Sequence, residues 1–154
     1  MLINAFNIQK EINTKCIAEN ISNICYHGDV IAISGELGSG KSTFAKYFIK
    51  NLVQTKSVPS PSYNILLTYN SKDKTICHMD AWRLKNESEV FNLGITEMFE
   101  KSIFIIEWAE KIKTLIPSNA LKLLIKREKN KRILLIEGNV GWQKRLEKLI
   151  SNDE

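Results

Sequence analysis

The chain has 154 residues, a formal net charge of +5, 44% apolar and 25% charged residues. At that length it buries about two thirds of its unfolded surface, so a single domain spanning 1–154 holds its own core. Its longest apolar runs, "VIAI" and "IFII", fall far short of the roughly 18 residues a membrane helix needs, which excludes a helical membrane protein. The pI of 9.1 permits contact with phosphate or an acidic partner without requiring nucleic acid. The basic stretches "KREKNKR" and "QKRLEK" are mixed with acids and carry no interleaved aromatics, so they read as solvated surface, not as a base-stacking platform.

In chain order, "MLINAFNIQKE" lacks both a basic leader and an apolar h-region, so it reads as folded protein with a short first strand, and a cytoplasmic location is expected. From Glu11 to about Cys25 the apolar residues follow helical spacing, with His27-Gly28 as the stop. "DVIAIS" is a continuously apolar strand, the kind buried on both faces of a parallel sheet. A glycine-rich stretch follows, then "STFAKYFIKNL", where Phe44, Phe48 and Leu52 fall at four-residue steps on an amphipathic helix. The prolines of "VPSPS" make an exposed loop of restricted φ. "YNILLTY" and "TICHMD" flank a polar turn and predict an antiparallel hairpin.

Asn86 is expected to cap a short helix that stops at Gly94, and "SIFIIE" is a second buried strand ending in a carboxylate. Beyond Pro117, "ALKLLIKRE" and "RILLIEG" form another hairpin, and "WQKRLEKLI" closes the chain as a helix. This order predicts an α/β fold: a three-layer sandwich with a mixed, mainly parallel sheet flanked by helices. Cys16, Cys25 and Cys77 are odd in number and show no CxxC spacing, so they are read as reduced, buried thiols.

Gly35, Gly40, Lys41 and Ser42 satisfy GxxxxGK(S/T). Such a match arises by chance in roughly one chain of this length in a few hundred, and here it lies between a buried strand and a helix start. Gly35, Gly38 and Gly40 let the backbone turn its N–H groups inward as a phosphate nest. Lys41 bridges the outer phosphates, Ser42 offers a hydroxyl to Mg²⁺, and Thr43 is placed to touch an inner phosphate. A carboxylate is needed for the metal at the end of a neighbouring strand, and Asp80 and Glu107 are the two candidates. His78 shares a strand face with Asp80; it reads as a hydrogen-bonded core histidine, with orientation of Asp80 as the alternative. Trp82 and Trp108, which follow the acids, read as packing under the sheet edge in preference to stacking on a nucleobase.

A GTPase would carry an NKxD-type guanine reader, and the only nearby string is "NKRI". A nucleotide kinase would carry an arginine-rich lid, yet residues 55–94 contain only Arg83. The strings "GDVIAISGELGSGKSTFAK", "VPSPSYNILLTY", "HMDAWRL", "FNLGITEMFEKSIFIIEWAEKI" and "LIP", in that order from Gly28 to Pro117, resemble the TsaE (formerly YjeE) family of small bacterial P-loop ATPases. The resemblance implies an ATPase, using ATP/ADP and Mg²⁺, that supports N6-threonylcarbamoyladenosine formation at tRNA position 37 together with a TsaB-TsaD protein complex. It implies contact with tRNA only indirectly and no membrane.

Residue by residue, the family's cradle falls on Gly35, Glu36, Leu37, Gly38, Ser39, Gly40, Lys41, Ser42 and Thr43. Its magnesium carboxylates fall on Asp80 and Glu107, with Lys41 and both acids as the catalytic set and Ser42 completing the metal ligands. Its mobile SPT(F/Y) loop falls on Ser60–Tyr63, where Ser62 takes the place of threonine and keeps the hydroxyl. Arg132, opening the last strand, resembles a basic position that can reach nucleotide, with a plain surface residue as the alternative. Trp82 replaces the tyrosine of the family's HxDxYRL string and removes a phenol. Which acid orients the attacking water stays open, and so do two other functions: a small-molecule kinase and a nucleotide-gated binding module with negligible catalysis.

Overall fold

In the computed structural model, which describes residues 1–151, β2 (Val30–Gly35) lies at the centre of a seven-stranded sheet. Its continuous apolar run is explained by its neighbours: β5 (Ile103–Glu107) and β6 (Leu121–Glu128) flank it in parallel, and Val30 to Ile33 are all buried. Beyond β5 come β4 (Thr75–Asp80) and, antiparallel at the edge, β3 (Leu66–Asn70). Beyond β6 come β7 (Lys131–Glu137) and β1 (Leu2–Asn7), each antiparallel to the strand before it. β1 therefore points the same way as the four central strands, and the sheet is mixed but mostly parallel, as the element order predicts.

Alternation along the strands divides the core in two. Ile31 and Ile33 of β2, Ile105 of β5 and Leu123 of β6 pack toward α1 (Glu11–Asn23), α2 (Lys41–Leu52) and Trp142. Val30 and Ala32, with Met79, Phe104 and Ile106, pack toward Val90 of α3 (Ser88–Asn92), Ile95 of α4 (Ile95–Met98) and Ile112 of a following 3-10 segment. Both faces of the sheet are thus covered, which makes the third layer. The C-terminal helix α5 (Val140–Ser151) is held to the α1–β2 turn by Arg145. Its guanidinium donates to both oxygens of Asp29 at 2.7 and 3.0 Å and lies over the Trp142 ring at 3.6 Å. No helix among the described residues is long and apolar enough to cross a membrane.

Four local readings need correction. α1 ends at Asn23, where the N–H of Ile24 reaches back to Ile21 and that of Cys25 to Ser22, and not at Cys25. The inward stripe of α1 is Thr14, Ala18, Ile21 and Ser22; Cys16 sits two residues from Thr14 and from Ala18, about 200° round the helix, and is exposed while Cys25 and Cys77 are buried. β3 begins at Leu66 and not at Tyr63, because Ile65 adopts φ +63° in a turn closed by its N–H on the Pro61 carbonyl at 2.6 Å. Asn86 does not cap α3: Glu87 is the N-cap residue, and the Asn86 side-chain oxygen instead accepts from the Ser88 hydroxyl. The Glu87 carboxylate accepts from the N–H and hydroxyl of Thr114, which hold it below the usual carboxylate range.

Candidate nucleotide site

β2 ends between β5 and β6, and the chain leaves it by the glycine-rich turn that opens α2. The site lies at the carboxyl ends of parallel strands, where open α/β sheets place their ligands. Gly35 pairs with Ile125 of β6 and takes φ +149°. A Cβ there would stand 2.6 Å from the Ile125 carbonyl oxygen and 2.8 Å from Ser39 Oγ. Glycine is therefore required by the neighbouring strand as well as by the phosphate nest. Gly35→Ala is expected to destabilise the fold by about 1–3 kcal/mol, read as a lower urea midpoint at unchanged m-value. An unchanged midpoint would show that the β6 backbone yields freely.

Gly40, at φ +115°, sets the left-handed turn that starts α2. Leu37 to Thr43 then line a cavity of about 250 Å³ together with Trp108 and Arg132. Lys41 is 5% exposed and donates to the carbonyls of Gly35 and Glu36 at 2.6 and 2.8 Å, so its ammonium closes the loop on itself. Burial pushes that ammonium below its ordinary value, while Glu110, Glu107, Asp80 and Glu36 pull it back up. Ser39 is fully buried with a hydroxyl that has no hydrogen-bond partner.

The two strand-terminal acids meet as β4 and β5 pair: Asp80 stands opposite Glu107 in the parallel register. Glu107, 1% exposed, accepts from the Ser42 hydroxyl at 2.6 Å through Oε1, and its Oε2 lies 2.6 Å from His78 Nε2. Asp80, 4% exposed, accepts from the backbone N–H of Trp82 at 2.8 Å and from the Ser62 hydroxyl at 2.9 Å. Ser62 in turn touches the Ser60 hydroxyl at 2.7 Å. The loop, both acids and the first turn of α2 thus form one hydrogen-bonded set.

Among the described residues no group of three His, Cys, Asp or Glu side chains could hold a metal by itself. That suits Mg²⁺, which takes one or two carboxylates and completes its shell with water and substrate phosphates. Four carboxylates act on one buried ammonium here, so a polyphosphate entering the cradle brings further negative charge to an already acidic wall. A divalent cation held by Ser42, Glu107 and Asp80 would offset that charge, and hydroxyl and carboxylate oxygens are the donors such a cation prefers.

The structure joins most of the expected site residues and revises others. His78 is buried and hydrogen-bonded, as expected, but its partner is Glu107 and not Asp80. Trp108 is half-buried and packs against the core cluster on one face of the sheet, as expected; at φ +58° its ring also lies 4.2 Å from that of Trp82, with the Lys41 ammonium 3.7 Å above it, and forms part of the cavity wall. Trp82 remains 45% exposed. Glu110 went unnoticed in the sequence, although its carboxylate is the strongest charge acting on Lys41 and its Oε2 is buried without a partner. Its position three residues after Glu107 on a tight helical turn was the available signal. A larger cavity of about 520 Å³ between β1, α1 and α5 has mainly apolar walls and no basic residue, so it does not suit a phosphate.

The family described as "Threonylcarbamoyl adenosine biosynthesis protein TsaE" matches residues 8–134. A Bacillus subtilis (strain 168) protein named "tRNA threonylcarbamoyladenosine biosynthesis protein TsaE" is 38% identical over 115 residues, covering 74% of this chain and 72% of that one. A Rickettsia felis protein of the same name is 31% identical over 134 residues, covering 86% of this chain and 78% of that one. A solved structure titled "Crystal structure of Bacillus subtilus YdiB" superposes with a TM-score of 0.82 at 26% identity, covering 100% of this chain and 99% of that one.

Proposed function

The chain belongs to the TsaE family of tRNA threonylcarbamoyladenosine biosynthesis, and from that premise we propose that it is a Mg²⁺-dependent ATPase working with a TsaB-TsaD complex in the cytoplasm. The observation that carries this reading is the hydrogen bond from Ser42, in the first turn of the cradle helix, to Glu107 at the end of the adjacent strand. It unites a phosphate nest with a metal-binding carboxylate, the two parts that nucleoside triphosphate hydrolysis requires.

In the proposed reaction the N–H groups from Gly35 to Thr43 and the N-terminus of α2 hold the β- and γ-phosphates. Lys41 exchanges its carbonyl partners for phosphate oxygens, and Arg132 faces the cradle from β7. Ser42, Glu107 and Asp80 would hold Mg²⁺, which supplies charge neutralisation on the phosphate oxygens when bound. Water attacks in line with the bond to the leaving ADP, and one of the two acids orients it through a hydrogen bond. Ser62, which donates to Asp80, links the 58–62 loop to this chemistry: a hydroxyl freed from that bond would be able to donate to the γ-phosphate instead. The ATP and ADP states then present different loop surfaces to the partner.

The purified chain is expected to release phosphate slowly with Mg²⁺ and ATP and at least about 10-fold faster when TsaB-TsaD is added, because the partner supplies charge that the cradle lacks. Fast turnover by the chain alone, or partners that neither bind nor stimulate, would overturn the partnership. ATP consumption that depends on an added small-molecule acceptor would indicate a kinase instead.

A further inference from the structure

Glu107 ends a strand with a flexible side chain, and without support its carboxylate could turn toward the Lys41 ammonium. Besides the Ser42 hydroxyl on Oε1, the group that holds it is His78 on Oε2. It is 1% exposed on β4, diagonal to Glu107 across the β4–β5 pairing, with Nε2 2.6 Å from Glu107 Oε2. An ionised carboxylate only accepts, so Nε2 carries the hydrogen and donates it. Among the described residues Nδ1 is buried without a hydrogen-bond partner and Glu107 is the one polar anchor of the ring. Asp80, by contrast, already has one oxygen on the Trp82 N–H and the other on the Ser62 hydroxyl.

We propose that His78 is a positioning residue: it pins Glu107 Oε2 so that Oε1 is presented to Ser42 and to the divalent cation that accompanies the nucleotide. The inference rests on the reading of the cradle as a Mg²⁺-nucleotide site. Mg²⁺ tolerates little departure from octahedral geometry, and partners that orient a ligating side chain are worth about 10–100-fold in metal affinity. His78 therefore acts on metal affinity and on the chemical step, and leaves contacts between phosphate and the glycine loop untouched.

The test uses the full chain, a fluorescent N-methylanthraniloyl-ADP, and Mg²⁺ titrated against nucleotide binding, with His78→Leu, His78→Asn and His78→Gln. Leucine removes the donor; asparagine carries an amide that stops short of Glu107; glutamine returns an N–H near the position of Nε2. Binding without Mg²⁺ is expected to stay within about 3-fold of wild type, while half-saturation by Mg²⁺ rises about 10–100-fold in the leucine and asparagine variants. Glutamine should restore it to within about 3-fold, and in hydrolysis kcat should fall in the first two variants at little-changed KM.

An unshifted Mg²⁺ requirement in His78→Leu, or a glutamine variant no better than asparagine, overturns the proposal. If leucine prevents folding, the glutamine–asparagine comparison decides alone. The Mg²⁺ titration reads out whether or not the chain hydrolyses ATP, so a chain without ATPase activity would refute the proposed function while still testing His78. Wild-type binding with no Mg²⁺ dependence would overturn the inference as well.

Discussion

Lys41→Ala is expected to cost at least about 10²–10³-fold in ATP hydrolysis and about 10–100-fold in nucleotide affinity. The reason is its placement. Its ammonium already sits inside the loop, bonded to the carbonyls of Gly35 and Glu36, and Trp108 lies 3.7 Å beneath it. Nucleotide binding replaces two neutral acceptors by charged ones, and that exchange is favourable because the ammonium gains charge–charge attraction to the phosphate oxygens on top of its hydrogen bonds. Lys41→Arg should not rescue activity, since a planar guanidinium has to displace the Trp108 ring or the loop carbonyls. Equilibrium titration with labelled nucleotide and single-turnover hydrolysis measure the two losses separately. An alanine variant that binds and hydrolyses like wild type would remove the phosphate cradle from the mechanism.

Glu107→Gln is expected to lower hydrolysis by about 10²–10³-fold while keeping Mg²⁺-free nucleotide binding within a few-fold of wild type. The amide retains the volume, and its oxygen still accepts from either Ser42 or His78. What it loses is the charge needed for the metal and the second acceptor of the Ser42–Glu107–His78 chain. Binding without metal does not suffer, because a negative charge beside the phosphates has been removed. Asp80→Asn is the informative comparison: it also disturbs Ser62, so the loop should respond to it more than to the Glu107 change. Hydrolysis in Glu107→Gln at the wild-type rate would exclude Glu107 both as metal ligand and as the group that orients water.

Parts of this site are legible from residue order because their chemistry is local. A nest of N–H groups, a left-handed glycine and a helix N-terminus occupy consecutive residues, so 35–43 declares itself without the rest of the chain. The two acids are equally visible, since a carboxylate directly after a buried apolar run marks the end of a strand. Helix ends and strand starts are less visible, since Ile65 and Asn86 are governed by contacts with Pro61 and Ser88 that no periodicity encodes.

The sequence by itself determined the order of strands and helices, the phosphate cradle, and the family to which its ordered motifs belong, because each of these is written in short windows of the chain. Only the tertiary structure decided which of those windows meet. Ser42 reaches Glu107 across 65 residues, His78 chooses Glu107 over its near neighbour Asp80, and Trp108 comes to lie under Lys41. These contacts follow from the β4–β5 and β2–β5 registers, in which a shift of one residue would turn every inward side chain to the opposite face. Arg132 enters the cradle only because β7 folds back on β6 beside β2. Pairing between distant strands depends on the packing of the whole core, and no local pattern carries it.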